Sequence, residues 1–430
     1  MRNSSYILSS VPGFNELVNS GHGGSSTTIL KLNKTECRTN NAVYKVIRYD
    51  KDFLNYDLVS SYGLCRSIII NSADKVVGFA PPKSVSAEVF IEKYPLQNNK
   101  SSIIAEEFLE GTMINVFFDS TIGITGGWEI STRNTVGATS SFYKSHSTNA
   151  TNERPESSRK SKTFREMFME AAEVCTLDIN KLDKDMCYSF VLQHPENRIV
   201  VPFKTPQLYL VAAYKIRTEE NGVISVEPFH SGYYKGSAHY IAKETKVRFP
   251  EMYTFDKYSA LIDKYASMNT PYNVMGVILF NIDTGERTKF RNPVYEQVRS
   301  LRGNQPKLQY QYLCLRKEGK VKDFLKYYPE NKGDFSIFRD QVHIFTNTLY
   351  ENYVSCYIKK SKPLLEFPKE FRTHMYTIHQ HFLNELREKK QFITNTFVQK
   401  YVNGLHPSLL MYCLNFQLRQ RTVDTIVNSN

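Results

Sequence analysis

Short apolar runs, each closed by turn-forming residues, fill the stretch from about 42 to 135. RSIIIN (66–71), KVVGFA (75–80), TMINVFF (112–118) and WEIST (128–132) have the length and the β-branched or aromatic content of single strands. Pro81-Pro82 stops the second of them. The pattern then changes. In KTFREMFMEAAEVC (162–175), Phe164, Met167, Phe168, Ala171 and Ala172 recur at helical spacing and share one face. CYSFVL, RIVVPF, LYLVAAYKI and YNVMGVILFNI return the chain to strand between 187 and 282. EMYTFDKYSALIDKY (251–265) interrupts them with a helical spacing, and past about 305 strand signals stop. DQVHIFTNTLYENYVSCYIKK (340–360) and FRTHMYTIHQHFLNELREKKQFITNTFVQKYV (371–402) carry apolar residues three and four apart.

The pattern predicts an α+β protein: antiparallel sheets through residue 300, then an α-helical domain over 301–430. Residues 1–40 read as a polar N-terminal extension with Gly21, Gly23 and Gly24 in a loop. Residues 144–162 have no periodicity and read as an exposed loop.

Composition narrows the class. A chain of 430 residues can bury two sizeable cores. With 41% hydrophobic and 23% charged residues it is an ordinary globular protein. The net charge of +12 favours polyanions, nucleic acid before an anionic membrane surface. Lys-rich coding alone would also make the chain basic. The abundance of Lys, Asn, Ile, Tyr and Phe fits an AT-rich genome, such as that of a large DNA virus or an intracellular parasite. The seven cysteines form no CxxC pair and their number is odd, which speaks against zinc and a disulfide framework and for a reducing, cytoplasmic compartment. No apolar run reaches the roughly 18 residues of a membrane span. His374 and His381 would share a helix face with His379 nearby, but no carboxylate or cysteine partner for a metal is evident there.

Ordered landmarks then suggest a family. CRSIII (65–70) resembles an A-R-G-I strand, and KVVGFAPPKSVSAEVF (75–90) the segment that follows it. EEFLEGTMINVFFD (106–119) resembles the strand T-K-x-D-G-S-L. GWEISTRNTVGA (127–138) resembles F-x-S-K-G-S, and CYSFVLQHPENRIVVPF (187–203) a segment ending in P-x-N-R-I-V. NVMGVILFNIDTGERTKFRNPVY (273–295) resembles E-G-Y-V…D-G…K-x-K-x-x-x-Y. In this order the six segments resemble the phage T4 RNA ligase 1 family. The resemblance implies a ligase-type nucleotidyltransferase domain over residues 1–300. It also implies a lysine that attacks the α-phosphate of ATP, later carboxylates for metal or ribose, and a K-x-K pair on the phosphates.

The sequence departs from that pattern where the chemistry lies. Counting back from Gly111, Glu110 stands for the motif aspartate and Phe108 for the nucleophilic lysine. A phenyl ring cannot form a phosphoramidate; it either fills the vacated pocket or offers a face to a base. The next glutamate falls on Ser189 or Val191, depending on register, and the one after it on Met275. None supplies a carboxylate, so no catalytic or metal-binding residue is implied. What remains is cationic: Arg66, Arg133, Arg198, Lys289 and Arg291, with Gly111, form the implied nucleotide- or phosphate-binding set. ATP and Mg²⁺ are implied ligands only if the pocket has stayed open.

The leading expectation is a pseudo-RNA ligase that has lost adenylylation and binds RNA or nucleotide phosphate in a basic cleft. A scaffold reusing the fold, as a virion or assembly component with a protein partner or self-assembly, is the alternative. An active ATP-dependent ligase with an unusual nucleophile is the third reading.

Overall fold

The computed structural model describes residues 5–20, 26–29, 31–141, 161–230 and 239–419. Gly21, Gly23, Gly24 and most of the expected loop at 144–162 lie outside them. The chain forms two compact units, residues 1–299 and 300–430.

The described residues of unit 1 form three sheets, in which every pairing between the strands named here is antiparallel. The largest runs β1 (Tyr6–Ile7), β12 (Ile224–His230), β11 (Gln207–Thr218), β10 (Met186–Gln193), β8 (Thr112–Asp119) and β9 (Gly127–Ser131) in spatial order. The second runs β13 (Met252–Tyr253), β7 (Ile103–Glu107), β14 (Gly276–Asn281) and β15 (Arg287–Arg291). The third is a meander of β2 (Ser26–Ile29), β3 (Leu32–Arg38), β4 (Val43–Tyr49), β5 (Ile68–Ile70) and β6 (Val76–Phe79).

One face of the largest sheet is covered by the helix Phe164–Val174, started by a capping box between Thr163 and Glu166. The helix buries Met167, Phe168, Ala171 and Ala172 against Tyr188, Phe190, Leu208 and Leu210. The second sheet buries Ala105, Val277, Leu279 and Phe290 under Phe90, Tyr258 and Leu261. By strand alternation its other face carries Glu106, Ile278, Phe280, Lys289 and Arg287, and this face borders the candidate site.

Three stretches differ from the sequence expectation. The N-terminal segment is part of the core: β1 pairs with β12, and Tyr6, Leu8, Phe14 and Leu17 are buried. Its apolar residues were diluted by Ser, Asn and Gly, which hid them as a pattern. RIVVPF forms no strand, because the backbone N–H groups of Val200 and Val201 donate to the Glu110 carboxylate instead of to a sheet partner. YNVMGVILFNI enters its strand only at Gly276. The Asn292 amide donates to the carbonyls of Pro271 and Val274 and holds the residues before it in a turn.

Unit 2 is helical, with Lys332–Tyr353 as its longest helix. Phe335, Phe338, Val342, Phe345 and Leu349 on that helix are buried, as are Met375, Ile378, Val398 and Val402 on its neighbours. Its histidines do not converge. His374 lies 2.8 Å from Tyr401 Oη and 3.1 Å from Cys413 Sγ, His379 stacks on Tyr357, and His381 faces Glu385. No helix among the described residues is long and apolar enough to cross a membrane.

Candidate functional site

A cavity of about 750 Å³ opens in unit 1 between the largest sheet and the second sheet. This is the range of ordinary small-molecule sites, roughly 300–1,000 Å³. The β7 side contributes Glu106 and Phe108, β14 contributes Ile278 and Phe280, and β15 contributes Arg287, Lys289 and Arg291. Val191, Ala212 and Tyr214 face them from the largest sheet.

Two glycines let the backbones close around it. At Gly111 φ is +150°, and a Cβ would stand 2.5 Å from the Leu192 carbonyl oxygen. At Gly276 φ is +135°, and a Cβ would stand 2.0 Å from the Phe290 oxygen. No L side chain fits either position without backbone movement. Gly276 in turn accepts the N–H of Phe108 through its carbonyl, at 3.3 Å, which ties the two motif segments together.

The cavity has a cationic wall. Arg287, Lys289 and Arg291 alternate on one strand, and Arg66 and Arg133 join them from outside the second sheet. Arg66 and Arg287 are held by backbone: Arg66 Nη1 donates to the Pro81 carbonyl at 3.3 Å, and Arg287 Nε to the Pro82 carbonyl at 2.9 Å. Arg133 Nη2 donates to Tyr49 Oη. Arg291 pairs with Glu296 at 2.6 Å. Among the described residues Lys289 makes no ion pair, and its Nζ lies 4.7 Å from the centroid of the Phe108 ring.

Burial and four neighbouring cations act on Lys289 in one direction. Loss of hydration comes first, followed by Arg287, Arg66, Arg291 and Lys83, and together they push its amine down to about 6. Burial, followed by Arg287 and Arg133, pulls Arg66 down to about 10. The linkage has a definite sign. The folded amine binds its proton less tightly than the unfolded one, so stability falls as pH drops from the ordinary lysine value of 10.5 towards about 6, and levels off below. In phosphate-free buffer, Lys289→Met is therefore expected to raise the thermal midpoint most at acidic pH, with the gain fading towards pH 10.5. An equal shift at both ends of that range would show that the amine is not destabilised.

On the same sheet face Glu106 Oε1 lies 2.9 Å from His230 Nδ1, the imidazole packs on Phe280, and the Glu106 charge acts on Arg287. Glu110 turns away from the cavity. Its carboxylate accepts the N–H groups of Val200 and Val201 and the Tyr295 hydroxyl. Burial raises its pKa against these hydrogen bonds.

The structure thus brings Arg66, Phe108, Gly111, Arg133, Val191, Met275, Lys289 and Arg291 to one cavity. Ser189 lies outside it, buried and donating to Asn115 Oδ1 at 2.8 Å, and of the two register alternatives Val191 is the residue at the wall. Arg198 is also outside, with its Nε on the Val200 carbonyl. Phe108 and Met275 line the space rather than fill it. The residues present do not fit a divalent cation at the positions the resemblance implies, since Val191 and Met275 offer no oxygen. Sequence reading missed Arg287, Gly276 and His230. The alternation R-x-K-x-R at 287–291 and the dipeptide Met275-Gly276 could have exposed the first two; nothing in the sequence marked His230.

Comparison with known proteins bears on this arrangement. No protein-family model matches the chain. Over 131 residues it is 29% identical to a protein named RNA ligase from Rhodothermus phage RM378. The chain is similar to a phage RNA ligase. The similarity covers 30% of this chain and 24% of the relative, so the chain matches about a quarter of that RNA ligase's length.

Proposed function

We propose that this chain is an RNA-ligase-like protein that binds RNA or nucleotide phosphate on the wall formed by Arg66, Arg287, Lys289 and Arg291, and that it has lost adenylylation through position 108. One observation carries the reading. Three guanidiniums and an amine converge on a nucleotide-sized cavity, and among the described residues no carboxylate pairs with Arg66, Arg287 or Lys289. Glu296 offsets Arg291 and the Glu106 charge acts on Arg287, which leaves more cations than anions at the wall; such an excess is costly unless a further anion completes it, and phosphate oxygens match guanidinium geometry. The similarity to a phage RNA ligase and the net charge of +12 support RNA as the source of that phosphate. Phe108 has no nitrogen to accept a nucleotide, and Met275 and Val191 offer no ligand for a metal.

Titration with a 5′-phosphorylated single-stranded RNA at rising salt tests this. Four phosphate contacts on a single strand predict an affinity loss of about 50-fold between about 50 and 200 mM salt. Absence of binding at the low-salt end would sink the reading.

A further inference from the structure

We propose that Lys289 is a nucleotide-accepting amine: from its seat over Phe108, its Nζ attacks the α-phosphorus of a nucleoside triphosphate and the chain becomes nucleotidylated on β15. The proposal rests on the phosphate-binding reading above and adds covalent chemistry at a residue other than 108.

The geometry comes from strand register. Lys289 pairs with Ile278 on β14, and Ile278 pairs with Glu106 on β7. Phe108 lies two residues beyond Glu106, so the lysine reaches it diagonally across two strands. Its Nζ ends 4.7 Å from the ring centroid, inside the cavity that Phe108 and Gly111 border. An amine from β15 therefore stands beside the place where position 108 supplies none.

The surroundings suit a phosphorus electrophile. Arg66, Arg287 and Arg291 are permanent cations with several N–H donors each, able to hold phosphate oxygens and offset most of a triphosphate's charge. Lys289 is the only lysine among the described residues lining the cavity, and so the member of this cluster that can give up a proton. Its burial beside those guanidiniums brings the amine down to about 6, which leaves a free lone pair at neutral pH.

The step balances without an oxidant or reductant. The Nζ lone pair forms an N–P bond, and the bond from the α-phosphorus to the bridging oxygen breaks. That oxygen leaves with its electron pair as pyrophosphate, and one Nζ proton passes to water. The product is a lysyl phosphoramidate carrying one nucleoside monophosphate.

The test is intact mass spectrometry and peptide mapping of the full chain after incubation with ATP or GTP in Mg²⁺-containing buffer. The expected result is a gain of one nucleoside monophosphate, lost in acid, on the peptide that contains Lys289. The adduct should vanish in Lys289→Arg and persist in Lys100→Arg, which alters an exposed lysine that pairs with Asp256 and does not line the cavity. No adduct, or an adduct on another residue, overturns the proposal. Mapping the wild-type protein assigns the residue even where a variant fails to fold. Equilibrium RNA binding, measured on the same preparation, separates the two readings: binding without an adduct refutes only the acceptor role, and neither signal refutes both.

Discussion

Arg287→Gln is expected to weaken binding of a 5′-phosphorylated single-stranded RNA by about 100-fold at low salt, the lower half of what removing one member of an enclosed charge pair costs. Arg287 opens the cationic run Arg287, Lys289, Arg291 along β15. Its Nε is fixed on the Pro82 carbonyl, which leaves the rest of the guanidinium to an incoming anion. A lysine at this position would restore the charge but not the fork, so Arg287→Lys should recover only part of the loss. Arg217→Gln, at an exposed pair with Glu227 on β11, serves as the control. Fluorescence anisotropy with melting curves on each variant distinguishes loss of ligand from loss of fold. An unchanged affinity in a folded Arg287→Gln protein would remove the wall from the binding site.

Glu110→Ala is expected to cost about 3 kcal/mol of stability, because a buried and a half-buried backbone N–H and a hydroxyl lose their acceptor together. Glu110→Gln keeps an amide oxygen for the N–H groups of Val200 and Val201, and its NH₂ can face Tyr295. It should cost well under half as much. Urea unfolding of unit 1 reads both. If the residue acted on a ligand rather than on the 200–201 backbone, Ala and Gln would leave stability alike and differ only in binding.

The sequence exposed what periodicity can carry. Strands β5, β6, β8, β9, β10 and β11 follow from short apolar runs closed by turn residues, of which β5 and β10 are buried on both faces, and the helix Phe164–Val174 follows from helical spacing. The shift to helices beyond 305 was readable for the same reason. Failure came where polar side chains replace regular pairing. Glu110 takes the N–H groups that would have made RIVVPF a strand, and Asn292 holds the turn before β14; neither leaves a periodic trace. At the cavity, Arg66, Lys289 and Arg291 could be placed by motif order. Arg198 matches the motif as well as they do, yet its side chain bonds the local backbone. Motif order places a residue on an element without saying which way its side chain turns. His230 reaches the cavity from β12, whose pairing with β11 no local pattern announces.

The anchoring of Arg287 on Pro82 spans 205 residues of sequence, and the neighbouring bond from the Val85 N–H to the Arg287 carbonyl spans 202. Contacts this distant form only after long loops have closed, so the cationic wall belongs to the slow part of folding. During synthesis the ribosome releases Arg66, Phe108 and Gly111 well before β15. Until then the cavity-facing side of β7 and the edge that β14 will occupy stand bare. A chain stalled before residue 287 would expose an unpaired strand edge and a half-built pocket without most of its positive charge, the form most exposed to aggregation and to quality-control proteases.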